Sequence, residues 1–420
     1  MEFPATSPAI GGGQLRPFAL ALALLLAACV PAQPGLPVGA GKAAADPGVT
    51  RCSDGSTTID GDFPGAGFAR CEVLGKGWFR LAIEPEDANV TNCSPWYAFR
   101  AASKAEGKVK VDLDYASCGH RYQPKIGLPG SGWERLDPAA IEVREKGKLR
   151  NARLTVPVSP APVILAGQEL LLPDAYSAWM DRHAANPAMT RSRLGLSAQG
   201  RPIERLQIAG PVPARQQVVL LGRQHPPEVT GGLAMIAFVD RLLEDDPLAR
   251  AYRARFTTQV VPLLNPDGVV NGHWRHGTGG VDLNRDWGPF TQPETQLMRD
   301  MLLGIEADPD RELVLFLDFH STRYDTIYTL LPGLPTNPPG FLPAWLADYA
   351  ARLPDYTVRE EPGHNAALPV SKAWVYDRFG VPTATYEIGD ETDRELIRRL
   401  GRAAAEAMMA SLLAGADAPQ

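Results

Sequence analysis

Cysteine is scarce in this sequence, and charge of one sign is nowhere concentrated. Five cysteines occur in 420 residues, and none lies beyond Cys118. The 42 Lys and Arg residues and the 48 Asp and Glu residues give a formal net charge of −6, without a basic stretch that could neutralise a nucleic-acid backbone. Nucleic acid is therefore not expected as a partner. The length allows two domains, because a single hydrophobic core rarely grows beyond roughly 250–300 residues.

The apolar run at residues 18–30, "FALALALLLAACV", is too short to span a membrane. Arg16 precedes about a dozen apolar residues, whereas a spanning helix needs roughly 20. The pattern indicates an export signal. The end of the run, "LAAC", resembles the lipobox of bacterial lipoproteins, which implies cleavage before Cys29 and a lipid on its thiol. We expect a protein of the cell envelope that faces the periplasm and meets the membrane only through Cys29. The alternative is an ordinary signal peptide cut after Ala28.

The other four cysteines lie in the first third of the exported chain. They are Cys52, Cys71, Cys93 and Cys118. An even number of cysteines in an exported segment predicts two disulfides, with three possible pairings that the sequence leaves open. A four-cysteine zinc site is disfavoured, because the spacings of 19, 22 and 25 residues contain no close Cys-x-x-Cys pair.

Composition divides the chain into four segments. Residues 1–29 form the signal peptide, and residues 30–50, rich in Pro, Gly and Ala without periodicity, form a flexible linker. Short alternating runs rich in aromatic and β-branched residues predict a small β-sandwich over 51–162. From 163 to 420, nearly continuous apolar runs alternate with longer helical patterns, which predicts an α/β domain with a mostly parallel or mixed sheet covered on both faces.

Three apolar runs of the second domain end on residues that can bind a metal or move a proton. "VVLLGRQH" ends at His225, "LVLFLDFH" at His320 and "TATYE" at Glu387. Functional groups collect at strand ends in such sheets. Two histidines and Glu228 could hold a divalent ion and leave a fourth position for water, as catalytic zinc requires. A lone histidine here is more often a hydrogen-bonded core residue, so the prediction depends on the combination.

Five motifs then follow in a fixed order. They are "HPPE" (225–228), "NPDG" (265–268), "HWRHGTGGVDLNRDW" (273–287), "DFHS" (318–321) and "TYEIGD" (385–390). Together they resemble the zinc carboxypeptidase family over about residues 170–412. The resemblance implies a mixed eight-stranded sheet flanked by helices, and zinc-dependent removal of C-terminal residues from peptides. It is nearest to the cytosolic carboxypeptidases that trim glutamate tails and also carry a β-sandwich, although an export signal departs from that cytosolic setting.

The resemblance also assigns roles to residues. His225, Glu228 and His320 are implied as the ligands of one zinc ion per chain, and Glu387 as the carboxylate that moves the proton of the attacking water. Histidines 273, 276 and 364 are not expected to be ligands.

Three further polar residues are implied in substrate binding and catalysis. Arg275 suits the oxyanion of the tetrahedral intermediate, and Asn284 with Arg285 suits the terminal carboxylate. The alternative for both arginines is a surface ion pair.

Counting back from Glu387 without gaps places Lys372 at the bottom of the family's specificity pocket. A lysine there predicts a preference for C-terminal Glu or Asp, whereas the alternative is a solvated surface lysine. Many members of the family place a flexible tyrosine over the substrate, and this sequence has Asn365 at that position. Tyr324, Tyr376 or His364 could take its place, or the group could be dispensable.

Two other functions are compatible with the sequence. A zinc peptidase could act instead on the peptides of cell-wall murein, or the pocket could be an inactive module that binds carboxylate ends. The retained ligand set and Glu387 argue against the inactive module. The oligomeric state and the ligand of the β-sandwich are not predicted.

Overall fold

The computed structural model describes residues 50–87, 93–128, 132–146 and 149–417. The predicted signal peptide, Cys29 and the linker up to residue 49 lie outside the described residues. Within the described ranges, no helix is long and apolar enough to cross a membrane.

The N-terminal part is a sandwich of two β-sheets. In chain order its strands are β1 (Arg51–Ser53), β2 (Thr57–Asp60), β3 (Arg70–Gly75), β4 (Trp78–Ile83), β5 (Ala98–Ser103), β6 (Gly107–Tyr115), β7 (Lys125–Leu128), β8 (Gly132–Arg135), β9 (Ile141–Lys146), β10 (Leu149–Val158) and β11 (Val163–Ala166). One sheet has the order β1-β2-β5-β11-β7-β8 and the other β3-β4-β6-β10-β9. Alternate residues of β4, such as Phe79 and Leu81, are fully buried in the core between the sheets.

Strand β11 extends the sandwich to Ala166, four residues past the expected boundary at 162. The proline-containing stretch "SPAP" at 159–162 resembles a linker in composition, but it is the turn that leads from β10 into β11, which pairs with β5 and β7.

Two disulfides settle the cysteine pairing that the sequence left open. Cys52 pairs with Cys71 and Cys93 with Cys118. Disulfides are typical of extracellular or exported proteins, in agreement with the expected export.

The C-terminal part is built on an eight-stranded mixed sheet. Its strands are β12 (Met189–Leu196), β13 (Pro202–Ile208), β14 (Gln216–Gly222), β15 (Phe256–Val261), β16 (Glu312–Thr322), β17 (Thr326–Thr329), β18 (Glu360–Pro362) and β19 (Thr383–Gly389). The order is β12-β13-β15-β14-β16-β19-β17-β18, and the central strands β15, β14, β16 and β19 run parallel. The predicted eight-stranded sheet is confirmed.

Helices cover both faces of this sheet. They are α1 (Pro173–Arg182), α2 (Val229–Leu242), α3 (Pro247–Arg255), α4 (Pro266–Val270), α5 (Pro293–Glu306), α6 (Phe341–Ala351), α7 (Ser371–Phe379) and α8 (Arg394–Asp417). On β14, Val218 and Leu220 join the core under α1, α2, α3, α6 and α8, whereas Val219 and Leu221 join the core under α5 and α7. Burial on both faces explains why the central strands are nearly continuous apolar runs.

Candidate metal centre and active-site pocket

The three strands that carry the predicted residues are neighbours in the sheet. Strand β16 lies between β14 and β19 and is parallel to both, so their carboxyl ends meet at one edge. His225 follows β14, while His320 and Glu387 are directly paired across β16 and β19. The fold therefore brings these residues together from stretches more than 150 positions apart in the chain.

His225, Glu228 and His320 converge on one point. Nδ1 of His225 lies 2.8 Å from Oε1 of Glu228, and Nδ1 of His320 lies 2.7 Å from Oε2. One potential ligand atom from each residue falls within 4.8 Å of the others. Although burial raises the pKa of the Glu228 carboxyl, the two histidines hold it well below its ordinary value.

Each histidine is held by an aspartate on its other nitrogen. Nε2 of His225 lies 2.9 Å from Oδ1 of Asp282, and Nε2 of His320 lies 2.9 Å from Oδ2 of Asp318. Since a carboxylate accepts the Nε2–H, the Nδ1 lone pair of each ring is directed towards Glu228. Two imidazole nitrogens and one carboxylate are the donors of a catalytic zinc site, so the residues present fit this ion.

The two aspartates were not predicted from the sequence. Asp318 is fully buried and also accepts hydrogen bonds from Gln224 Nε2 and from the hydroxyl of Ser371. It precedes His320 by two residues, so the period of a strand places both side chains on the same face. The two-residue spacing between Asp318 and His320 could therefore have been used to predict the role of Asp318 from the sequence.

Glu387 borders the same pocket with an unpaired oxygen. Its Oε2 is buried and has no hydrogen-bond partner among the residues that the structure describes. Burial raises the pKa of the Glu387 carboxyl to about 8, and the Glu228 carboxylate raises it while His320 opposes the rise. Such a carboxyl is suited to exchange protons with a bound molecule.

Arg275, Asn284 and Arg285 also line this pocket, whose volume is about 310 Å³. Nε of Arg275 donates to Oδ2 of Asp282 over 2.7 Å. Asn284 is fixed by the backbone N–H of Ser371, which donates to its Oδ1 over 2.9 Å. The structure therefore places all three residues beside the metal-ligand group.

Lys372 is buried beside His364 and is not among the residues that line the pocket. Only 2% of the residue is exposed, which excludes the solvated surface lysine. Its Nζ donates to the backbone oxygens of Thr329, over 2.8 Å, and of His364, over 3.0 Å. Burial lowers the pKa of the Lys372 ammonium to about 8.

Of the three candidates to replace the family's tyrosine, only His364 reaches the pocket. Tyr324 is exposed, and the hydroxyl of Tyr376 donates to the backbone oxygen of Pro335. Tyr328, which the sequence reasoning missed, lines the pocket and stacks on His364 with ring centroids 3.9 Å apart.

The β-sandwich also contributes to the pocket, which was not predicted. Arg121 and Tyr122, between β6 and β7, line it together with Trp274. Glu86, which follows β4, accepts hydrogen bonds from the backbone N–H groups of Arg275 and His276, over 2.8 and 2.9 Å. No motif in the sequence marked these residues, because they come from a separate part of the chain.

Comparison with known proteins agrees with this geometry. The family model described as "Zinc carboxypeptidase" (Peptidase M14) matches residues 176–399, which is more than half of the chain. The chain belongs to the zinc carboxypeptidase family. This family is zinc-dependent, and the group formed by His225, Glu228 and His320 is able to hold a metal ion.

Several cytosolic carboxypeptidases are similar to part of the sequence. The chain is 31% identical to cytosolic carboxypeptidase 6 of Mus musculus over 139 residues, which are 31% of this chain and 26% of that protein. It is 39% identical to cytosolic carboxypeptidase 2 of Danio rerio over 110 residues, which are 26% of this chain and 15% of that protein. The chain thus spans about a quarter or less of the length of these relatives.

The fold is similar to those of solved bacterial metallo-carboxypeptidases. A metallo-carboxypeptidase of Burkholderia cenocepacia aligns with a TM-score of 0.69 and 20% identity, covering 85% of this chain and 99% of that one. A metallo-carboxypeptidase of Pseudomonas aeruginosa aligns with a TM-score of 0.67 and 20% identity, covering 84% and 98%. The predicted carboxypeptidase-like fold is confirmed by these alignments.

Proposed function

We propose that this protein is a metallocarboxypeptidase that binds one zinc ion per chain and hydrolyses the C-terminal residue from peptides. The observation that carries the proposal is the position of Glu387. Its unpaired carboxylate oxygen borders the same pocket as the three convergent metal ligands. An inactive carboxylate-binding module would have no need of this arrangement.

The residues around the pocket have separate roles in the reaction. Zinc held by His225, Glu228 and His320 would supply a Lewis acid and lower the pKa of bound water. Glu387 accepts the proton of the attacking water and passes it to the amine of the leaving residue. Arg275, oriented by Asp282, donates to the oxygen that becomes negative as the peptide carbonyl is attacked.

Recognition of the chain end is assigned to Arg285 and Asn284. A planar guanidinium binds a carboxylate through two parallel hydrogen bonds, and the neighbouring amide adds a neutral donor. The side chain of Asn284 is fixed by the backbone of α7 before substrate arrives. A site that holds a terminal carboxylate restricts hydrolysis to the last residue, so the enzyme is an exopeptidase.

A preference for acidic C-terminal residues is assigned to Lys372. Its ammonium group is buried, donates only to two neutral backbone oxygens among the described residues, and has a third N–H to offer. Burial is the main cause that lowers the pKa of His364; the Glu361 carboxylate opposes it, and the charges of Lys372 and Arg285 add to the lowering, so both cations act on this end of the pocket. A carboxylate side chain would complete the hydrogen bonds of Lys372.

Export and attachment at Cys29 complete the proposal. Two disulfides support export. An anchored enzyme of this class would act on peptides in the cell envelope.

The test is to incubate the purified chain without its first 29 residues with linear peptides and with murein peptides, and to identify products by mass spectrometry. We expect free C-terminal amino acids from linear peptides, no release after a zinc chelator, and recovery when zinc is restored. Glu387→Gln is the matched control, since it keeps the shape of the side chain and removes the base. Absence of release from every linear peptide would contradict the proposal, and release from murein peptides alone would favour the cell-wall function.

A further inference from the structure

The two disulfides of the β-sandwich differ in their exposure to solvent. Cys71 is only 6% exposed and belongs to the core between the sheets, and its partner Cys52 packs against that core. In contrast, Cys118 is exposed, and its partner Cys93 is partly buried. Because exchange requires that a thiolate reaches one of the two sulfur atoms, exposed disulfides react more readily than buried ones. The bond between Cys93 and Cys118 is therefore the one that a thiol in solution can reach.

The exposed disulfide lies close in the chain to residues of the metal pocket. Cys118 is followed within a few residues by Arg121 and Tyr122, which line that pocket. Nε of Arg121 donates to Oδ2 of Asp390 over 2.7 Å, and the hydroxyl of Tyr122 accepts a hydrogen bond from Nε1 of Trp274 over 3.1 Å. These two contacts connect the segment that begins at Cys118 to the catalytic part of the chain.

Both partners of this segment are close in the chain to residues that we assign to the reaction. Asp390 lies in the turn after β19, shortly after Glu387, and Trp274 directly precedes Arg275. Catalysis is sensitive to displacements of about 1 Å, even when they begin far from the reacting atoms. A shift of the segment that begins at Cys118 would therefore affect the catalytic carboxylate and the residue assigned to the oxyanion.

The backbone at Cys118 needs constraints to keep its conformation. Cys118 has a φ of 49°, in the left-handed region that residues other than glycine rarely adopt, and Gly119 has a φ of 74°. The backbone passes so close to β10 that a Cβ on Gly119 would lie 2.9 Å from the backbone nitrogen of Arg150. Two constraints act here, namely the disulfide to Cys93 and the hydrogen bond from the backbone N–H of His120 to the oxygen of Arg150. Opening the disulfide removes the covalent constraint.

We propose that the disulfide between Cys93 and Cys118 is a thiol-exchange site, at which a dithiol opens the bond, loosens the adjoining pocket wall and lowers peptide hydrolysis. The disulfide between Cys52 and Cys71 stays closed under the same conditions, because it belongs to the core of the sandwich. The loss of hydrolysis rests on the proposed carboxypeptidase function, whereas the order in which the two disulfides open does not.

The exchange balances with the dithiol as the reductant. One thiolate of the dithiol attacks Sγ of Cys118, the bond to Cys93 breaks, and the Cys93 sulfur leaves with the electron pair and takes up a proton. The second thiolate of the dithiol then attacks its own first sulfur in the mixed disulfide, and Cys118 leaves as a thiolate that is protonated in turn. Two electrons pass to the protein, and the dithiol becomes a cyclic disulfide. Excess of a small disulfide reverses the reaction.

The first experiment follows the order of reduction in the chain without its first 29 residues, which lacks Cys29 and keeps the four cysteines of the sandwich. The native protein is incubated with increasing concentrations of dithiothreitol, free thiols are alkylated, and the labelled peptides are identified by mass spectrometry. We expect Cys93 and Cys118 to be labelled while Cys52 and Cys71 remain paired. Simultaneous opening of both disulfides, or earlier opening of the one between Cys52 and Cys71, would overturn the inference.

The second experiment measures the consequence for the pocket without a reductant, because a dithiol also binds zinc. The double variant Cys93→Ser/Cys118→Ser should keep its zinc and its circular dichroism spectrum but lose about tenfold or more in kcat/KM on a linear peptide. Its backbone hydrogens across residues 118–123 should exchange faster than those of the wild type. The matched control is Cys52→Ala/Cys71→Ala, which should be less stable but keep the wild-type kcat/KM.

A second route serves if a double variant does not fold. Wild-type protein alkylated only at Cys93 and Cys118 is freed of dithiothreitol, reloaded with zinc and assayed against protein taken through the same steps without reduction. A kcat/KM equal to that of the unreduced protein would overturn the inference, and so would unchanged hydrogen exchange across 118–123. If no form hydrolyses any peptide, the proposed function fails, and the order of reduction together with hydrogen exchange still decides whether the disulfide opens and loosens the wall.

Discussion

Asp282 and Asp318 determine which nitrogen each ligand histidine offers to a metal. Both accept a hydrogen bond at Nε2 of their histidine and leave Nδ1 directed at Glu228. Asp318 is in turn fixed by Gln224 and Ser371. The geometry of the ligand group is thus set by residues that do not belong to it.

Replacing Asp318 by asparagine should weaken zinc binding by about 10–100-fold, as expected for loss of a partner that orients a metal-bound histidine. The amide can present its NH₂ group to His320 and favour the wrong tautomer. Competition titration with a chromophoric chelator measures the affinity. Asp267→Asn is the control, because Asp267 is equally buried but pairs with Arg201 and Ser197. An unchanged zinc affinity in Asp318→Asn would remove its orienting role.

The preference for a C-terminal Glu over Gln should depend on pH through Lys372. The pKa of Lys372 is lowered by burial to about 8. The ammonium form, which attracts a carboxylate, is therefore present at lower pH and is lost as the pH rises through that value. The ratio of kcat/KM for the two peptides should therefore fall by roughly tenfold between pH 7 and pH 9.5. Using a ratio cancels the titration of groups that act on both substrates alike.

Lys372→Met provides the comparison for that experiment, since it keeps the length of the side chain without its charge. We expect a low ratio that does not vary with pH. A wild-type ratio that stays constant with pH, or a Lys372→Met ratio equal to that of the wild type, would exclude Lys372 as the selector.

At the scale of single residues, the sequence predicted the functional residues that lie within recognisable motifs. It missed the residues that reach the pocket from distant segments of the chain. His225 and Glu228 stand three residues apart in one short motif, so their joint role could be read directly. Arg121 and Tyr328 contact the same pocket from other segments, and only tertiary structure relates them to it.

The segment from His273 to Trp287 contains little regular structure, although it carries three of the predicted residues. Its only helical turn is the short 3-10 turn Leu283–Arg285. Contacts from other elements therefore fix it. Glu86 provides two of them, through the backbone N–H groups of Arg275 and His276.

Glu86→Ala should lower kcat/KM by roughly tenfold or more, because two backbone donors lose their acceptor and Arg275 is no longer fixed. Steady-state kinetics on a linear peptide provides the measurement, with circular dichroism to verify the fold. Glu84→Ala is a suitable control, since Glu84 makes a half-exposed ion pair with Arg70 instead. Equal kinetics for both variants would show that Glu86 does not position Arg275.

The elements that the sequence predicted best are the buried ones. "QQVVLLG", "ELVLFLDF" and "TATYE" are central strands covered on both faces, and their apolar runs follow from that burial. The hairpin of β12 and β13 was missed. It does not form a continuous apolar run, because it contains the charged residues Arg191, Arg193 and Glu204. Such residues are typical of an edge strand, and β12 lies at the edge of the sheet.

At the scale of the molecule, the β-sandwich and the eight-stranded sheet belong to one compact unit. The sequence could separate the two parts of the chain, because short runs of alternating polarity predict the β-sandwich, whereas apolar runs that alternate with helical patterns predict the second part. It could not show that the first part borders the pocket of the second, since the contacts involve single polar residues without a recognisable pattern.

Replacing Cys29 by alanine should move the protein from the membrane fraction to the soluble fraction of the cell envelope, since its acyl chains would be its attachment to the membrane. Fractionation with immunoblotting measures the distribution, and mass spectrometry of the wild-type N-terminus checks for a lipid. Cys52→Ala is the control, because Cys52 belongs to a disulfide. A soluble wild type without acyl mass would contradict the lipoprotein prediction.

Two ion pairs connect the sandwich to the turn that follows Glu387. Arg121 pairs with Asp390, and Lys125 pairs with Glu391 over 2.8 Å. For protein engineers, this means that the two parts are not interchangeable modules. A chimera that takes its sandwich from a distant relative must also bring basic residues to meet Asp390 and Glu391, because a recombination point at Ala166 separates the two partners of each ion pair.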